Sequence, residues 1–186
     1  SLGWTPDGRG LLTGGRDSTI LQWDTRPVAG KGDPLARLAG KARDAHAAVW
    51  EIAARPRLVA ELGKRLEAQS APREEELAAL IAKLDDDSFD VRDPAEKELA
   101  RMGPGAAPSL RRELGKGVSV EVRRRLERLL KGWRDAPEAL RLGRAVMALE
   151  QAGARRELER LAKGAAGAPL TEDAKAALSR LNPSGR

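Results

Sequence analysis

Ser88-Phe89-Asp90-Val91-Arg92 and Ser119-Val120-Glu121-Val122-Arg123 are two copies of one pattern, serine, apolar, acid, valine, arginine, set 31 residues apart. The same shift lays Glu96 on Glu127, Lys97 on Arg128 and Leu99 on Leu130. Self-similarity at that period is the sequence mark of stacked helix pairs, each unable to bury its apolar face without its neighbour. In both copies the serine stands where a helix begins. There a side-chain oxygen can accept a backbone N–H that the first turn leaves unpaired. Val91 and Val122 are then expected to face a neighbouring helix, and Arg92 or Arg123 to reach an acidic loop in the adjoining repeat.

The first copy lies within LDDDSFDVRDPAEKEL, Leu84 to Leu99. Asp85, Asp86 and Asp87 precede the helix start, where free N–H groups and the helix dipole favour negative charge. A calcium loop would need glycine in its middle and glutamate at its end, and neither is in register, so capping is the better account of the acids. Pro94 fits only the first turn of a helix, which predicts a start near Asp90 to Asp93. This wording resembles a HEAT-type repeat, which implies an α-solenoid whose stacked pairs present a shallow binding surface.

Outward from these copies, helices are punctuated by glycine and proline from Pro34 onward. Asp44 is read as the N-cap of a helix through Ala54, with Ala47, Trp50 and Ala54 on one face and Ala48, Val49 and Ile52 broadening the stripe. Pro56 opens the next, lined by Leu58, Val59, Leu62 and Leu66. Glu74 to Leu84 follows, with Leu77, Leu80 and Ile81. Ser88 caps a helix to Met102 that stops at Gly103, and Pro104 to Leu114 forms a short one broken by Gly115 and Gly117. Ser119 caps another through Lys131. Pro137 opens a helix expected to bury Leu140, Ala145, Val146 and Leu149. Arg155 to Lys163, and Thr171 to Leu181 before Asn182-Pro183, complete the series.

The first 25 residues have a different period. Leu11 to Thr13 and Thr19 to Trp23 alternate as strands, with Ile20 and Gln22 on one side and Leu21 and Trp23 on the other. Pro6-Asp7-Gly8 and Gly14-Gly15-Arg16-Asp17 carry turn chemistry. Leu2 to Thr25, LGWTPDGRGLLTGGRDSTILQWDT, resembles the last part of a WD repeat, the unit of a β-propeller blade. The resemblance implies scaffold roles for Asp7, Gly8, Gly14, Asp17, Trp23 and Asp24: Trp23-Asp24 as the dipeptide ending the third strand, Asp17 as the aspartate of the preceding tight turn. A blade needs four strands and a propeller several blades. With no initiating Met and room for about three strands, the chain reads as the C-terminal end of a longer protein. Arg26 to Asp33 is rich in glycine and proline and reads as a linker. The organisation expected is therefore a partial blade over 1–25, a linker over 26–33 and a HEAT-like all-α domain over 34–186. The whole layout resembles a bacterial arrangement of a WD-repeat propeller followed by a helical tail, whose Trp-containing first helix and Val-Arg region would be Ala48 to Ile52 and Val122-Arg123.

Composition agrees with a mainly helical chain: alanine, leucine, arginine and glutamate dominate, and aromatic residues are 3%, so the core is aliphatic. With no cysteine there is neither a disulfide nor a thiolate metal site, which fits a reducing compartment and favours the cytoplasm. No run approaches the ~18 apolar residues of a membrane span. His46 is the single histidine, without the partners a catalytic base or metal ligand needs. The glycine-rich pieces lack the Gly-Lys-Ser/Thr ending of a phosphate loop. Neither a metal, a cofactor nor an enzymatic reaction is expected. The net charge of +6 is densest at Arg123 to Lys131, where Arg124, Arg128 and Lys131 share one helix face and are candidate partner contacts. The function expected is a non-enzymatic scaffold for other proteins. Nucleic-acid binding through Arg123 to Lys131 is the alternative, disfavoured because acids alternate with the bases and aromatic stacking platforms are missing.

Overall fold

The structure, a computed structural model, describes residues 1–5, 9–15 and 19–182. The turn residues Pro6, Asp7, Gly8, Arg16 and Asp17, and the terminal Pro183, lie outside the described residues. Three strands, β1 (Leu2–Trp4), β2 (Gly10–Gly14) and β3 (Ile20–Asp24), form an antiparallel sheet in chain order. Ten helices follow among the described residues: α1 (Pro34–Arg37), α2 (Ala42–Ala53), α3 (Pro56–Arg65), α4 (Glu74–Lys83), α5 (Phe89–Met102), α6 (Ala107–Gly115), α7 (Val120–Asp135), α8 (Pro137–Gln151), α9 (Arg155–Ala162) and α10 (Pro169–Leu181). The chain is thus mainly helical, with one small sheet at its front. No helix among the described residues is long and apolar enough to cross a membrane.

Two aliphatic cores organise the helices. Leu77, Leu84, Leu99, Leu110, Val122 and Leu126 form one, from α4–α5 and α6–α7. Leu38, Ile52, Leu62, Leu149, Leu158 and Leu161 form the other, in which α1–α3 pack against α8–α10. The expectation from Pro34 onward was a stack of pairs in chain order, where each pair touches only the next. Instead α2 lies against α8, nearly a hundred residues later, because the apolar stripes of both are wide and each fills the other's open side. The segment between α3 and α4 runs along the seam of the two cores. The Gln69 carbonyl accepts from Ala165 N–H at 2.6 Å, and its side-chain oxygen from Leu170 N–H at 3.1 Å. A Cβ on Gly105 would collide with the Ser70 carbonyl oxygen, so glycine is required at that crossing.

Arginines terminate several helices from a distance. Arg144 of α8 donates to the carbonyls of Leu38 and Gly40 at 2.8 and 2.9 Å. Arg160 of α9 donates to Gly63 and Leu66 at the end of α3, and Arg155 to Leu181 at the end of α10. Each satisfies carbonyls that a helix end leaves open and sets positive charge at the negative end of the dipole. Part of the basic composition is therefore structural.

Several local expectations are revised. Lys41 stands at the N-cap of α2, and Asp44 lies inside its first turn. Helix α5 begins at Phe89, so Pro94 sits in the second turn, on an exposed face that tolerates the missing hydrogen bond. Helix α7 continues past Lys131 to Asp135, where the Ala136-Pro137 step stops it. Helix α10 starts at Pro169, two residues before Thr171, because proline fits a first turn. Leu140, expected inside, is 59% exposed. Gly103 ends α5 as expected, at φ 69°, a conformation open to glycine.

Candidate functional site

The register of the sheet decides what each strand residue does. Leu2 pairs with Thr13 and Thr13 with Leu21; Trp4 pairs with Leu11 and Leu11 with Trp23. Side chains alternate along strands, so these six share one face. The opposite face carries the row Gly3, Leu12 and Gln22, with Ile20 beside it. Leu2, Trp4, Leu21 and Trp23 on the first face and Ile20 on the second are all exposed, Trp4 at 63% and Ile20 at 76%. Trp23 Nε1 donates to Thr13 Oγ1 at 3.0 Å, which fixes its ring on the sheet without covering it. Large apolar side chains thus face water on both sides of a three-stranded sheet, an arrangement that soluble sheets normally bury.

Of the residues given scaffold roles, Gly14 closes β2 opposite Ile20, and Trp23 and Asp24 end β3. Asp7, Gly8 and Asp17 lie outside the described residues. Asp24 accepts from the Arg26 side chain at 2.6 to 3.1 Å and from its backbone N–H at 3.0 Å. These bonds, side chain first, hold its carboxyl at about 2, below the ordinary 3.8. The Arg9 guanidinium lies 5.9 Å from the centre of the Trp50 ring, a cation–π contact between the strand region and α2. His46, one turn before Trp50, is exposed and meets that ring edge-on.

In the helical copies, the two serines differ. Ser119 Oγ accepts from Val122 N–H at 3.2 Å, as an N-cap does, and donates to Asp85 Oδ1 at 2.5 Å. Ser88 makes no side-chain cap; its own N–H goes to Asp86 Oδ1. The valines differ too. Val122 is buried in the core, whereas Val91 is half-buried and outside it, although each stands third in its helix. Arg92 reaches the carbonyls of Asp86 and Asp87 in its own repeat, not an adjoining one. Arg123 is exposed and makes no ion pair among the described residues.

The join between the copies comes from a residue that sequence reasoning only aligned. Glu96 of α5 pairs with Arg125 and, at 3.4 Å, with Arg128 of α7. Arg125 also binds Glu121 at 2.6 Å. Burial opposes the Arg125 charge, and the two glutamates more than offset it, holding its pKa above the ordinary value. Lys131 and Arg134 bind Asp135, whose carboxyl the Lys131 bond, then the Arg134 bond, holds below its usual range. Of the three candidate partner contacts, Arg128 and Lys131 are therefore paired internally and Arg124 is exposed without a partner among the described residues. A signal for this existed: acids at 96, 121 and 135 lie within helical reach of the arginines once the two copies are set side by side.

No family model matches this chain, and neither the curated proteins nor the solved structures yield a match.

Proposed function

We propose that the chain is the C-terminal part of a WD-repeat propeller protein and works as a non-enzymatic scaffold that holds other proteins. The three strands are then an incomplete blade, and residues 34–186 a HEAT-like helical domain. The observation that carries this reading is the sheet, which exposes Leu2, Trp4, Leu21 and Trp23 on one face and Ile20 on the other. Blades of a propeller bury both faces against their neighbours, which is the environment Leu2, Trp4, Ile20, Leu21 and Trp23 lack. The two pairs α4–α5 and α6–α7, one core between them and Glu96 across their join, support the helical-repeat part. In this reading α8–α10 and α1–α3 close the short stack at one end.

Lengthening the chain upstream with its natural sequence tests the blade. Trp4 and Trp23 should be quenched freely by acrylamide in the 186-residue chain and protected in the longer one. Equal quenching in both would refute the reading. Nucleic-acid binding through Arg123 to Lys131 has less support, since Arg125, Arg128 and Lys131 are already matched by carboxylates. It would show as affinity for DNA or RNA falling steeply with salt.

A further inference from the structure

A cavity of about 250 Å³ opens at the seam of the two helical cores, away from the sheet. Trp133 and Leu130 of α7, Leu140 and Leu142 of α8, and Leu170 of α10 give it apolar walls. Leu140 is exposed there although every neighbour on its helix that shares the core is covered. Three charged side chains line the same cavity: Arg111, Arg134 and Asp173. Arg111 is exposed with no partner among the described residues, and Arg134 is engaged by the adjacent Asp135. Asp173 accepts no hydrogen bond among the described residues; burial pushes its carboxyl up, and Arg180 offsets this in part.

Size and chemistry narrow the occupant. Small-molecule sites run to ~300–1,000 Å³, so this space suits one bulky anchor of a larger partner, the usual form of an interface hot spot. Arg111, which has no partner among the described residues, calls for an anion. Asp173 calls for a donor. A lipid carboxylate supplies only the first, while a peptide supplies carboxylate side chains and backbone N–H groups around an apolar residue.

We propose that this cavity binds a peptide segment of a partner protein, seating a large apolar side chain between Trp133 and Leu140 with a neighbouring acidic residue on Arg111. The proposal rests on the scaffold reading and gives its partner a chemistry. The test is isothermal titration of the full chain with blocked octapeptides. One has a Phe-Leu centre flanked by glutamates, the second replaces the glutamates with lysines, the third replaces Phe-Leu with serines, and octanoate is titrated separately. The glutamate peptide should bind, and the other three probes should be weaker by at least about tenfold. Arg111→Glu and Leu140→Asp, both at exposed positions, should each cost at least about tenfold with unchanged melting, and Trp23→Ser should cost nothing. Absent binding of the glutamate peptide, equal binding of the lysine peptide or octanoate, or indifference to both cavity variants would overturn the proposal. None of those results alters the quenching of Trp4 and Trp23, so the blade reading and the cavity fail separately.

Discussion

In the helical body Leu126, Leu149 and Leu158 are wholly buried, whereas in the sheet Trp4, Ile20, Leu21 and Trp23 keep half or more of their surface in water. Both regions hold large apolar residues at the spacing their secondary structure demands. The difference lies in what each face meets. A fully buried leucine contributes roughly 1.5–3 kcal/mol relative to an exposed one, and the body has many. The sheet realises little of that gain, and a three-stranded sheet with two open faces is marginal in water. Regularity of pattern sets which residues share a face; it does not say what covers that face.

The strongest way to break this contrast is to place a charge in each region. Val122→Asp puts a carboxylate into the core shared by α4–α7 and should cost at least ~3 kcal/mol. Ile20→Asp puts the same group on an open sheet face and should leave the helical melting transition where it is. Thermal unfolding followed by far-ultraviolet circular dichroism reads both, and matching losses would mean that sheet and body fold as one unit.

Ion pairs sharpen the contrast at the next level. The Glu96 and Arg125 side chains are 19% and 12% exposed, and Glu96 of α5 serves two arginines of α7. Glu96→Gln leaves Arg125 with Glu121 alone, and the expected loss is about 1–3 kcal/mol. The sheet-side pair of Asp24 and Arg26 is half exposed, where such pairs contribute little; Asp24→Asn should leave the same transition unmoved. Within the body, Val91→Asp should cost less than about 1 kcal/mol, far below its counterpart Val122→Asp, because Val91 borders water. Equal costs at the two valines would restore the strict equivalence of the two copies.

How far the sequence could be read follows from the range of each interaction. Helix ends marked by proline or glycine, such as Pro56, Gly103 and Pro137, were legible because backbone sterics act within a few residues. The alternation of Ile20 to Trp23 correctly sorted the sheet faces. The packing of α2 on α8 was not legible, since two wide aliphatic stripes do not say which other stripe they meet. Nor was the fate of the arginines. Arg144, Arg155 and Arg160 look like surface charge in sequence and are bound to carbonyls in three dimensions. The cavity around Trp133 was hidden for the same reason: its walls come from four helices and two connecting segments, and Leu140 falls on a regular apolar stripe that happens to end in open space.

Two carboxyls give the smallest and cleanest test. Asp24 is held at about 2 by a neighbour, chiefly the Arg26 side chain; Asp173 is raised by burial, with Arg180 pulling it back. The signs are opposite. Asp24 titrates lower in the folded chain than unfolded, so its contribution is complete above pH 3.8 and fades as pH falls toward about 2. Asp173 titrates higher folded than unfolded, so its contribution declines as pH rises through 3.8 toward the folded value. Arg26→Ala should move the Asp24 midpoint up toward 3.8 in a carbon-detected NMR titration and leave Asp173 unchanged. Arg180→Ala should move Asp173 further up and leave Asp24 alone. A drop at Asp173 would mean that burial is not what raises it, and that its place beside the cavity is wetter than the packing of α10 implies.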